Sequence, residues 1–254
     1  MSPTRRVVTS LPIALTLGNM LCGFLSIALV AKGFETPNPL YWAAWLLFLA
    51  MIFDALDGKV ARMTGSSSDF GGELDSLADM VTFGLAPGLL TSRILTDAGV
   101  PPVFAWGVAA VYVSCAGLRL ARFNATNSLD EDAHKSFCGL PSPAAAAAIG
   151  SLVLLSQTYG ARTPWIPSVL PFWAVGLGLL MVSSIQHVHL GNRLLRARRG
   201  VVDLAPLVIG VAALVVMREL ALAVACQLFA LSGVLALLRR PVAFLAPRLR
   251  RAPR

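Results

Sequence analysis

The chain has 254 residues; 13% are charged, 56% fall in the apolar class, and the mean hydropathy is +0.72. A soluble domain carries about 25% charged residues, so a globular shell facing water is excluded and the composition is that of a polytopic membrane protein. The net charge of +8 reads as the Lys and Arg excess of cytoplasmic loops, not as a footprint for nucleic acid.

Arg5 and Arg6 precede a long apolar run with no small-residue cleavage site after it. That run reads as a first membrane span and not as a cleaved signal peptide. Apolar windows predict spans over 11–31, 40–62, 73–95, 103–123, 143–159, 165–187, 201–217 and 220–238. The predicted fold is all-α, a polytopic membrane protein of about eight transmembrane helices, each of roughly 20 residues. Between the second and third spans, residues 63–72 read MTGSSSDFGG, a polar Gly/Ser-rich stretch that predicts a short interfacial loop. Asp69 falls there and reads as a cap or loop residue. The domain plan is a six-helix core over 1–190, a basic loop over 191–200, two additional helices over 201–238 and a basic tail over 239–254. That tail contains three prolines and is suited to anionic lipid. No internal repeat is evident.

Seventeen of the 21 Lys and Arg residues fall on one set of loops and ends. The positive-inside rule then places both termini in the cytoplasm of a cell (inner) membrane protein. Cys22, Cys115, Cys138 and Cys226 lie far apart, without metal-ligand spacing, and read as small buried hydrophobes. His187 and His189 read as interfacial.

The chemistry concentrates in DALDGKVARMTGSSSDFGGELDSLAD, residues 54–79. Asp54, Asp57, Asp75 and Asp79 are set in the frame D-x2-D-G-x2-A-R-x8-G-x3-D-x3-D. Carboxylates beside apolar spans are costly and mark a functional site. On a helix, Asp54, Asp57, Gly58 and Ala61 share one face; Gly71, Asp75 and Asp79 form a second stripe. Two such stripes on adjacent antiparallel helices aim four carboxylates into one space. Unpaired they would repel, so a divalent cation is the natural counter-charge; oxygen ligands and a phosphate substrate favour Mg²⁺ or Mn²⁺. Gly58 and Ala61 clear bulk beside the acids, and Arg62 is placed to pair with phosphate. Asp54 lies roughly 12 Å inside the end of its helix, a depth that suits a substrate with a nucleotide head and acyl tails.

This frame resembles the signature of the CDP-alcohol phosphatidyltransferase family, which moves a phosphatidyl group from a CDP-activated lipid to an alcohol. Further stretches resemble its branch of membrane-embedded CDP-diacylglycerol–serine O-phosphatidyltransferases. They are LPIALTLGNMLCGFLSI (11–27), DFGGELDSLADMVTFGLAP (69–87), GLRLARFNAT (117–126) and FCGLPSPAAAA (137–147). The resemblance implies CDP-diacylglycerol and serine as substrates, phosphatidylserine and CMP as products, membrane lipid as surroundings and commonly a homodimer. It implies that Asp79 is the general base and that all four Asp hold the metal.

Around that frame, Gly58, Ala61, Arg62, Gly71, Thr16 and Asn19 are candidates for binding the CDP-lipid. Thr16 and Asn19 equally read as ordinary bonds between helices. Arg119, Arg122 and Asn124 are candidates for the acceptor, because a serine carboxylate needs a cation; both arginines also read as positive-inside anchors. Gly139-Leu140-Pro141-Ser142-Pro143 predicts a rigid loop leading into a helix. Transfer to another alcohol, such as glycerol 3-phosphate, choline or inositol phosphate, stays open at this point. So does a cation transporter, although no repeat supports one.

Overall fold

The computed structural model describes residues 3–32, 35–64, 69–127, 139–184 and 218–239. Their regular structure is helical throughout. In chain order the helices are α1 (Pro3–Val30), α2 (Pro39–Thr64), α3 (Asp69–Asp79), α4 (Ala86–Asp97), α5 (Pro102–Asn127), α6 (Ser142–Tyr159), α7 (Ile166–Val182) and α8 (Arg218–Arg239). A π-helical turn, Met80–Leu85, joins α3 to α4, and a 3-10 turn, Gly160–Arg162, follows α6. Among the described residues, four segments are long and apolar enough to cross a membrane: Leu11–Val30, Pro39–Met63, Pro102–Ala125 and Ser142–Arg162. Ile166–Val182 is a shorter apolar helix.

Two expectations are corrected. Residues 73–95 are not one α-helix, since the π turn interrupts them. The interfacial loop is also shorter than 63–72: α2 runs on to Thr64 and α3 starts at Asp69, so Gly71 lies in the first turn of a helix. The predicted seventh span, the basic loop, most of the basic tail, His187, His189 and Cys138 lie outside the described residues. The predicted eighth span falls on α8.

Helix α6 sits at the centre. Within its most apolar window 67% of the residues are buried, against 28–33% for the other three long segments. The cause is the small-residue run Ala144–Ala148 followed by Gly150. Lipid tails are as apolar as leucine, so helices in a membrane associate by close packing, which small residues permit. A Cβ on Gly150 would press on Leu47 of α2 at 3.3 Å. Helix α1 packs extensively along α2 and also along α3, whereas α2 and α3 scarcely touch. Ser26 on α1 donates to the Ala43 carbonyl of α2 at 2.9 Å. The outward faces are apolar, with Leu17, Phe24, Ile52 and Phe172 all more than half exposed or close to it, as lipid contact requires.

Helix α8 docks on α6 through Gln227. Its Nε2 donates to Ala148 O at 2.9 Å and Ser151 Oγ at 3.0 Å, and its Oε1 accepts from Trp173 Nε1 at 2.8 Å. At its start, Arg218 donates to Glu219 (2.8 Å) and to the Tyr41 hydroxyl (2.6 Å), and lies over the Trp45 ring at 5.2 Å. A cavity of about 450 Å³ opens between the C-terminal parts of α1 and α4 and the start of α5, lined by Ile27, Leu89, Arg93 and Trp106 among others. None of the frame acids lines it; the acids gather around the middle of α1.

Candidate active site

Asp54 and Asp57 stand near the end of α2, Asp75 and Asp79 near the end of α3. One oxygen from each of Asp54, Asp57 and Asp75 comes within 4.8 Å of the others. The convergence is achieved across a gap. The backbones of α2 and α3 stay apart, and α1 lies alongside both, so the carboxylates reach into a cleft between helices that do not pack directly. Gly58 and Gly72 border open space, where an added Cβ would meet nothing within 4 Å. Ala61 and Gly71 are half-buried, and Arg62 is exposed at the end of α2.

Helix α1 supplies the polar floor. Thr16 Oγ1 lies 2.8 Å from Asp57 Oδ2 and 3.0 Å from Pro12 O, so its one proton has two acceptors within reach. Asn19 Nδ2 donates to Asp79 Oδ1 at 3.2 Å. Both residues therefore do bond across helices, but their partners are the frame acids themselves. Asp57 and Asp79 are buried, 5% and 9% exposed. Asp79 does not join the close trio, yet it lies within electrostatic range of Asp54 and Asp75.

Helix α5 brings the cation. Arg119 lies within electrostatic range of Asp54 and Asp79, and its Nη1 donates to Ser142 Oγ at 2.7 Å. Ser142 is fully buried at the start of α6, just after the Gly139–Pro141 turn. That turn is fixed by Gly139 at φ +92°, where a side chain would strike the Met181 carbonyl, and by the Leu140 amide bonded to Leu180 O at 3.0 Å. Arg122 points elsewhere: its Nη1 donates to Val182 O at 3.3 Å, at the C-terminus of α7, where a cation is favoured. Asn124 Oδ1 accepts from Ser76 Oγ at 3.0 Å, tying α5 to α3 beside Asp75.

The donor set fits a hard divalent cation. Its convergent groups are carboxylates, and ligand oxygens around one Mg²⁺ are about 3–4 Å apart. Among the described residues, two buried side-chain polar atoms lack a hydrogen-bond partner, Asp75 Oδ1 and Asn19 Oδ1. Both are acceptors in this site. Buried acceptors are normally satisfied, and a cation with its waters would satisfy them.

Sequence reasoning missed Ser76 and Ser142 as partners. Ser76 follows Asp75 directly, and Ser142 lies in the quoted PSP turn, so proximity to the motifs was the available signal.

These features define a membrane-embedded helical protein with an acidic cluster set between α1, α2, α3 and α5. The chain belongs to the CDP-alcohol phosphatidyltransferase family, whose profile matches residues 9–182. Among curated proteins it is similar to CDP-diacylglycerol–serine O-phosphatidyltransferases of several organisms. For Helicobacter pylori the identity is 40%, covering 57% of this chain and 60% of the relative. For Mycobacterium bovis it is 37%, covering 69% and 59%. For Bacillus subtilis it is 35%, covering 70% and 90%. The match thus spans about 60% of the length of the first two relatives. Helix α8 lies beyond the matched family region.

Proposed function

We propose that the chain transfers the phosphatidyl group of CDP-diacylglycerol to the hydroxyl of L-serine, giving phosphatidylserine and CMP. The observation that carries this reading is the convergence of Asp54, Asp57 and Asp75 beside the open flank of Gly58. The names of the relatives support serine as the acceptor.

Mg²⁺ or Mn²⁺, held by Asp54, Asp57, Asp75 and Asp79, supplies when bound the positive charge that neutralises the diphosphate and the leaving CMP. The chain's own residues do the rest. Gly58, Ala61 and Gly71 leave room for the nucleotide against the helix backbones, with Thr16 and Asn19 beneath it, and Arg62 pairs with phosphate. Arg119, steadied by Ser142, binds the serine carboxylate, and Asn124 closes the rim of that pocket; Arg122, the other candidate for the acceptor, is turned to the end of α7. Asn19 engages Asp79 Oδ1, which assigns Oδ2 the proton of the serine hydroxyl. The serine oxygen bonds to the phosphorus bearing diacylglycerol, the bond from that phosphorus to CMP breaks, and CMP leaves with the electron pair. A carboxylate is a weak base for an alcohol, so the proton moves late, as the new bond forms.

The reading places both termini and the site on the cytoplasmic face of the cell (inner) membrane and, from the family, two chains per assembly. Purified protein with Mn²⁺ or Mg²⁺ and a panel of alcohols tests the chemistry. CMP release that depends on serine is the expected result. Release with another alcohol alone would reassign the acceptor, and no release with any would remove the enzyme reading. Cysteine probes placed in 97–101 and 159–163 should label from outside intact cells, and a probe at Ser67 should not; the opposite pattern inverts the topology. Light scattering of the purified protein at the mass of one chain would remove the dimer.

A further inference from the structure

Directly after Asp79 the chain forms the π turn Met80–Leu85. In it the Ala86 amide bonds to Val81 O, five residues back. Such a turn accommodates one residue more than an α-helix of the same span. One residue is about 100° of rotation. The turn therefore sets the angle between the face carrying Asp75 and Asp79 and the buried face of α4. The sequence also weighs against an α-helical register here. In α-helical geometry Phe83 O would accept from residue 87, which is Pro87 and has no amide hydrogen.

A side-chain donor reaches the same carbonyl from another helix. Tyr112 on α5, fully buried, donates its hydroxyl to Phe83 O at 3.0 Å. From the other side, Thr82 Oγ1 donates to the Asn19 backbone carbonyl at 3.0 Å. Gly23 lets α1 approach so closely that an added Cβ would collide with Thr82. The turn is gripped by α5 and α1, the two helices that also present Arg119 and Asn19 to the acids.

We propose that Tyr112 is a positioning residue, whose hydroxyl holds the Phe83 carbonyl in the π register and so aims Asp75 and Asp79 into the cleft. It does not touch substrate. The inference rests on the acidic cleft being the transfer site, but its test does not need turnover. Binding of Mn²⁺ alone to the full-length protein in detergent is read from the loss of the free-ion electron paramagnetic resonance signal. Tyr112→Phe keeps the ring and removes the donor. It should weaken Mn²⁺ binding about tenfold, the equivalent of one buried hydrogen bond. It should lower kcat by a similar factor, with KM for serine within about twofold. Gln227→Leu, which removes polar contacts at the α6–α8 interface, should leave Mn²⁺ binding unchanged. Thr82→Val should move Mn²⁺ binding in the same direction as Tyr112→Phe, and decides the matter if that variant cannot be purified. Wild-type Mn²⁺ affinity in Tyr112→Phe, or equal weakening in Gln227→Leu, overturns the proposal. Wild-type protein that binds Mn²⁺ but transfers to no alcohol removes the functional reading and leaves the positioning role standing.

Discussion

At the α2–α8 contact, Arg218 bonds to Glu219 and to the Tyr41 hydroxyl while stacking on Trp45, and farther along α8 both ends of the Gln227 amide find partners. In the cleft between α2 and α3, three carboxylates crowd within 4.8 Å, and Asp75 Oδ1 and Asn19 Oδ1 have no donor. Both regions place polar groups in an apolar bundle. The first closes on itself and acts as a staple. The second has acceptors in excess of donors, which a fold does not retain for stability, because crowded and desolvated like charges cost more than they return. Self-satisfaction thus separates the polar cluster at α8 from the acidic one between α2 and α3.

The strongest way to break this comparison is to withhold the cation. Excess chelator should abolish CMP release, and Mn²⁺ or Mg²⁺ should restore it; full turnover in chelator would leave the acidic cleft without its expected role. Next comes Asp57→Asn. Loss of a group that merely supports a metal ligand costs about 10- to 100-fold, so loss of a ligand should cost at least about a hundredfold in transfer. The yield of membrane-inserted protein should hold, since one charge fewer makes insertion no harder. Normal turnover would remove Asp57 from the ligand set.

A smaller and more selective effect belongs to the arginines. A hydrogen bond to a charged group is worth about 1.5–3 kcal/mol, so Arg119→Ala should weaken serine use about ten- to a hundredfold at about 1.4 kcal/mol per decade. Use of CDP-diacylglycerol should change much less. Arg62→Ala should show the reverse preference, and Arg122→Ala should affect serine less than Arg119→Ala does. Apparent constants for both substrates decide it; unchanged serine dependence in Arg119→Ala would move the acceptor pocket elsewhere. The smallest effect is expected at the staple. Gln227→Leu should lower stability in detergent by about 0.6–2 kcal/mol, the range for polar contacts between membrane helices, and leave kcat alone. A loss of kcat there would dissolve the distinction between the two clusters.

The acids of the site were legible because their information is local. Spacings of three and four put Asp54 with Asp57, and Asp75 with Asp79, on shared helix faces before any tertiary contact is known. The ends of the apolar windows likewise placed α2, α5 and α6 to within a few residues. What pairs with the acids was not legible, since Thr16 and Asp57 are separated by 41 residues and Asn19 and Asp79 by 60. Which of Arg119 and Arg122 turns inward depends on the rotation of α5 about its axis, which packing against α7 and the π turn decides. The π turn left no trace in hydrophobic periodicity, because MVTFGLAP is apolar in either register. Its one local sign was Pro87.

The separation of α2 from α3 carries a further consequence. The two helices beside it carry exposed apolar side chains, Leu56 and Met63 on α2, Phe70 and Leu77 on α3, so the acids stand between helices whose other faces suit lipid. On the proposed function, a two-tailed substrate would enter sideways from the surrounding leaflet, its tails staying in oil while its head reaches the acids. Supply is then a two-dimensional diffusion problem. The rate should follow the mole fraction of the nucleotide lipid in the surface, so diluting it with inert detergent at constant bulk concentration should slow the reaction.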